Sequence, residues 1–169
     1  MENSYDLDFG DGVTAPVGEG ELEAICDLVL AEEGVRRSCM VSVSVVSDGR
    51  MRELNREWRG QDCVTDVLSL ECERPDDPGL APGEPCELGD IVLAPSYIAR
   101  QAHGFGTTER DEFCLLLVHG MLHLLGYDHL EDGEAEVMEA REDQILLKVG
   151  TDRPVEHVTL TRHREGEGA

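Results

Sequence analysis

The sequence predicts an α+β fold: a mixed β-sheet of about four strands, packed with helices around a buried central helix that bears a metal site. Three observations predict it. Short β-branched runs alternate irregularly with helical stripes, without the rhythm of repeated βαβ units. Residues 113–125 are apolar on nearly every face, the pattern of a helix surrounded by protein. That helix and its exit turn, "HGMLHLLGYDH", place His119, His123 and His129 at intervals of four and six residues.

The elements follow in order. After an acidic, glycine-containing opening, residues 19–33 carry Leu22, Ile25, Leu28 and Val29 as a helical stripe. "MVSVSVV", 40–46, alternates valine with serine and reads as a half-buried strand. Ser47 offers an N-cap to a helix over about 48–59, which Gly60 ends. "TDVLSLE", 65–71, is a second strand. Residues 73–87 hold four prolines and two glycines, so they form a loop, either a lid or a plain connection. "LGDIVLA", 88–94, is the third strand that can be located, and Pro95 suits the first turn of a short helix reaching about His103. Thr108 with Asp111 three residues on caps the central helix, which runs to about Leu125 and stops at Gly126. A last helix over about 132–148 shows Val137, Met138, Ile145 and Leu146 on a charged surface. Strand order is not readable from these patterns.

Residues 1–150 are expected to form one domain and 151–169 a flexible tail with nothing to pack. The net charge of −23 repels polyanions at long range, which argues against nucleic acid and anionic membranes as partners unless a local feature answers it. Thirteen of the fourteen cations are arginines, so any anion contact will be made by a planar guanidinium. The start, "MENSYDLDFGDG", is acidic where a secretory signal is basic and then apolar, and a cytoplasmic location is expected. The six cysteines contain no C-x-x-C pair and read as free thiols filling core or surface.

His119 and His123, four apart on a helix, share one face one turn apart. Gly126 breaks the helix so that His129 can return toward them. Three imidazoles without a thiolate favour one zinc ion, with nickel or another borderline divalent ion as alternatives. Three protein ligands leave a fourth position for water, the mark of a catalytic site. The spacing is that of the metzincin peptidases, H-E-x-x-H-x-x-G-x-x-H, except that Gly120 stands where they need a general-base glutamate. A phosphodiester asks mainly for charge neutralisation and positioning, and a glycine at 120 is expected to leave room for a phosphate-bearing substrate.

A phosphate chemistry needs a nearby cation. Over 50–59, four arginines (Arg50, Arg52, Arg56, Arg59) against two glutamates give a local balance of +2 in an acidic chain. Arg59 ends the predicted helix, where it also complements the helix dipole, and Trp58 beside it can stack a base. Thr65 and Asp66 suit a turn cap, support for a metal ligand, or a substrate contact.

Together these segments resemble the YbeY family of bacterial rRNA-maturation endoribonucleases. "LNREWRGQDCVTDVLSL" is similar to that family's L-N-x-x-[YW]-R-x-x-D-x-P-T-D-V-L-S-F, "LGDIVLA" to its G-D-I strand, and "HGMLHLLGYDH" to its hallmark. The likeness covers about 40–147. Val64 and Leu70 stand where the family has proline and phenylalanine, at the strand entry and in the core. The resemblance implies zinc on His119, His123 and His129, with Arg59 catalytic or substrate-binding. It implies cleavage of single-stranded RNA, 16S rRNA 3′-end maturation, ribosome quality control, and small-subunit proteins as partners. Asp128, beside the third ligand, and Asp66 are candidates for proton transfer. The acidic chain then relies on a small basic cleft and protein partners. Two rivals remain: a metzincin-like zinc peptidase, and a non-catalytic ribosome-assembly factor whose zinc only fixes the exit turn.

Overall fold

The computed structural model describes residues 2–127 and 132–150. Its elements are β1 (Ser4–Phe9), α1 (Glu19–Glu32), β2 (Cys39–Val45), α2 (Asp48–Arg59), β3 (Val67–Glu71), β4 (Cys86–Leu93), α3 (Pro95–Phe105), α4 (Glu109–Leu124) and α5 (Asp132–Val149). The strands form one open mixed sheet in the order β1-β2-β4-β3. β1 and β4 run parallel to β2, and β3 is antiparallel to β4. The α+β expectation holds. β1 is the strand that the sequence reading did not locate: Tyr5, Leu7 and Phe9 are half-buried against the core, with exposed residues between them.

Period-two burial gives the sheet two different faces. Val41, Val43, Val45, Ile91 and Leu93 face the main core, which α1, α4 and α5 complete. Val46, Leu68 and Val92 belong to a second, smaller cluster, closed by Met51 and Leu54 of α2 with Trp58 and Val64 packed beside them. Helix α4 is seated in the main core, touching β3, β4, α1, α3 and α5. Every residue from Asp111 to Leu122 is buried, so the apolar side chains that this helix carries on nearly every face have the all-round partners they need.

The helix ends follow their capping chemistry. The Ser47 hydroxyl accepts from the Arg50 N–H at 3.3 Å, and Thr108 Oγ1 from the Asp111 N–H at 3.1 Å. Gly60 closes α2 in the left-handed region. The proline-rich loop is tied down by Arg37, whose guanidinium donates to the carbonyls of Pro75 (3.0 Å), Ala81 (2.8 Å) and Glu84 (2.5 Å). These bonds fasten it as a connection between β3 and β4. All six cysteines are free, four of them buried, and burial pushes the Cys114 thiol up to about 11. Leu70, expected in the core, is 48% exposed at the end of the edge strand.

One glycine is required by the sheet. The β2–β4 register jumps from Met40↔Glu87 to Val41↔Gly89, leaving Leu88 as an extra residue in a bulge. Gly89 there has φ +146°, and a Cβ would collide with the Leu70 carbonyl and come within 2.9 Å of Leu124. Gly89→Ala is therefore expected to cost about 2–3 kcal/mol or more, from backbone strain and overpacking together. Urea unfolding checks it; an unchanged midpoint would show that the bulge tolerates a side chain.

Candidate metal centre

His119 and His123 lie near the C-terminal end of α4, one turn apart. Their rings meet edge to face, with centroids 4.6 Å apart at an interplanar angle of 86°. His119 is 3% exposed, and His123 is half-buried. The helix gives way at Leu125, and Gly126 turns the chain at φ +106°. His129, the predicted third ligand, and Asp128 beside it lie outside the described residues.

The contact that organises the pair comes from α5. Glu142 Oε2 is 2.7 Å from His119 Nδ1, and the two side chains are 0% and 4% exposed. Sequence reasoning missed this residue by taking α5 as charged outside a few apolar positions. A signal was present: Glu142 falls four after Met138 and three before Ile145, both fully buried, so it shares their face. A buried carboxylate on that stripe must have a partner, and His119 is that partner.

Two imidazoles one turn apart, one of them backed by a buried carboxylate, suit a borderline divalent ion such as zinc. The donor set fits. Among the described residues no third histidine, cysteine or carboxylate completes a cage, and the predicted third ligand lies outside them.

Gly120 answers a different question from the one its sequence position raised. It is buried, and a Cβ there would lie 3.3 Å from two carbon atoms of Ile91 on β4. The missing side chain lets α4 approach the sheet; it does not open space for a substrate. A peptidase's general base placed here would be pressed into the core.

The arginine segment lies over the other face of the sheet from α4, since Met51, Leu54 and Trp58 pack on the smaller cluster. Within α2, Arg52 grips Asp62 at 2.8 Å and 3.2 Å, and Arg50 pairs with Glu53 at 3.6 Å. The Arg52 guanidinium holds the Asp62 carboxyl below its usual range. Arg59 is exposed, and its side chain makes no hydrogen bond or ion pair among the described residues. Trp58 lines a groove of about 570 Å³ whose charged residues are Arg50, Asp8, Asp11 and Asp90. Thr65 donates to Asp66 Oδ1 at 3.4 Å, and that oxygen also accepts the Val67 N–H at 2.7 Å, as a turn cap does. Asp66 is fully buried, and its Oδ2 has no hydrogen-bond partner among the described residues. The structure thus joins His119, His123 and Glu142, and separately Thr65 with Asp66.

Fold and site together define a class: an α+β protein whose mixed sheet carries a buried helix with paired imidazoles. Comparison with known proteins then gives the family. The family model described as Endoribonuclease YbeY matches residues 15–150. A protein named Endoribonuclease YbeY from Moorella thermoacetica is 44% identical over 144 residues, covering 82% of this chain and 92% of its own. Its namesake from Chloroflexus aurantiacus is 38% identical over 157 residues, covering 90% and 99%. The solution structure of a Thermotoga maritima protein matches with a TM-score of 0.58 at 28% identity, over 88% of this chain and 89% of that one. The chain belongs to the endoribonuclease YbeY family.

Gly120→Glu is expected to lose more than about 3 kcal/mol of stability, because it forces a carboxylate against Ile91. Chemical denaturation measures it, and a casein assay on the variant should stay blank. Wild-type stability together with new peptide turnover would show that position 120 faces the metal.

Proposed function

We propose that this chain is a zinc-dependent endoribonuclease that cuts single-stranded RNA, in the maturation of the 16S rRNA 3′ end and in ribosome quality control. Family membership supports RNA hydrolysis. The observation that carries metal dependence is the imidazole pair on α4, with a buried carboxylate behind His119. In this reading residues 1–150 act as one domain, and His119, His123 and His129 hold one ion, zinc or a divalent ion of similar preference. Such an ion, when bound, supplies Lewis acidity: it lowers the pKa of a water ligand to about 7 and draws charge from a phosphate.

The chain's own side chains do the remaining work. Arg59 clamps the scissile phosphate; it has no ion pair to break among the described residues. Trp58 stacks a base, and the Thr65 hydroxyl contacts the strand. Asp128 and Asp66 are the groups for moving a proton; the unpartnered, buried Oδ2 supports Asp66 in that role. The small ribosomal subunit and its proteins are the partners, in the cytoplasm. Neither a membrane nor DNA is expected, given a net charge of −23. No described helix is long and apolar enough to cross a membrane.

The purified protein is expected to hold about one zinc ion per chain and to cleave single-stranded RNA in preference to duplex. A chelator should abolish cleavage and added zinc restore it. Arg59→Ala is expected to lower the rate about 10²–10³-fold with the circular dichroism of a folded protein. Arg59→Ala that still supports ribosome assembly in full, with His123→Ala unfolded, would instead indicate a non-catalytic assembly factor whose metal is structural. Turnover of casein by the native protein would indicate a peptidase. Free RNA should bind weakly and more weakly as salt rises, which filter binding across a salt series checks.

A further inference from the structure

We propose that Glu142 is the positioning residue of the metal centre: its carboxylate keeps the His119 ring proton on Nδ1, so that Nε2 offers its lone pair to the ion. The inference rests on the metal reading above and adds a member that the histidine motif does not contain.

Geometry carries it. The Nδ1–Oε2 distance is 2.7 Å, within the range of a charge-assisted hydrogen bond, and both side chains are shielded from water. A ring in this position has two free variables, its rotation and its tautomer, and a single buried acceptor on Nδ1 sets both. The His123 ring meets the same ring at 86°, with centroids 4.6 Å apart, which limits its rotation further.

A packing role alone is a poor explanation for the glutamate. Glu142 is fully buried on a face it shares with Met138 and Ile145, where an apolar side chain fills space without the desolvation cost of a carboxylate. The charge is kept where it meets an imidazole.

Two proton arrangements satisfy the contact. If the carboxylate accepts from Nδ1–H, Nε2 is unprotonated and can ligate. If a carboxylic acid donates to Nδ1, the ring proton sits on Nε2 and the nitrogen is closed to a cation. Only the first arrangement leaves a nitrogen free for the ion, and it is the one that the metal reading requires.

The test needs no RNA. Zinc affinity of the full chain is measured by competition with a chromogenic chelator, for wild type and for Glu142→Gln, which keeps the shape. The variant is expected to bind zinc about 10–100-fold more weakly. Nitrogen NMR of wild type should show the His119 proton on Nδ1, with and without zinc, and ligation through Nε2. Equal zinc affinity in the variant with only a lowered melting temperature would mark Glu142 as structural and overturn the inference. So would a His119 proton found on Nε2. Should Glu142→Gln fail to fold, the wild-type spectrum decides. A wild type that takes up no zinc overturns the metal reading, a result distinct from a zinc-binding wild type that Glu142→Gln matches.

Discussion

Helix α4 touches the sheet at two places where an extra carbon would push it away. Gly120 meets Ile91, and Gly89 lies beneath Leu124. These contacts fix the rotation of the helix about its axis, and that rotation decides where the histidines point. Successive residues are about 100° apart around a helix, so with 120 against the sheet, 119 and 123 share a flank turned away from that contact. α5 supplies a carboxylate on that flank. The placing of the imidazole pair is in this sense a consequence of close packing between a helix and a strand.

The same constraint separates this chain from the peptidases whose histidine spacing it shares. Their mechanism requires a glutamate after the first histidine, free to act on water. Here that position is the seat of the helix on β4, and the acidic group near the first imidazole comes from a different helix, behind Nδ1. A carboxylate in contact with the ring orients a ligand; it does not stand beside the reacting atoms. The motif alone cannot distinguish these arrangements, because both read H-x-x-x-H with a later histidine.

Much of the fold was legible because its signals are local. Serine and threonine caps, the glycine at 60 and the alternating valines of β2 each act within a few residues, and every predicted helix is found within about two residues of its bounds. β1 carried the same period-two signal in "SYDLDF", but its aspartates and the glycines after it resembled a solvated opening. Strand order was out of reach for a different reason. Parallel neighbours such as β2 and β4 are joined by long connections, and nothing local records which edge the chain returns to. Leu70 shows the limit of reasoning by likeness: a position expected in a core lies on the edge strand here, half exposed. In the site, the paired histidines were visible because one helical turn separates them. Glu142 was not, since its meaning depends on how α5 docks against α4, a contact across 23 residues of sequence.

The acidity of the chain bears on RNA through its pairing pattern. Most described arginines are spent inside the protein: Arg52 on Asp62, Arg74 on Glu71, Arg100 on Asp48, Arg110 on Glu21 and Arg141 on Glu33. Arg37 binds the carbonyls of the proline-rich loop. Among the described residues the side chains of Arg36, Arg56 and Arg59 make no hydrogen bond or ion pair, and Arg36 lines a groove of about 630 Å³ with Tyr127, just past the end of α4. A polyanion that meets so few available guanidiniums releases few counterions, so phosphate contacts alone cannot hold it. In the proposed reading, affinity must then come from contacts other than phosphate, from the metal centre and from the ribosomal proteins that present the strand. In that reading a chain of net charge −23 gains selectivity, because RNA that arrives without those partners meets mainly repulsion.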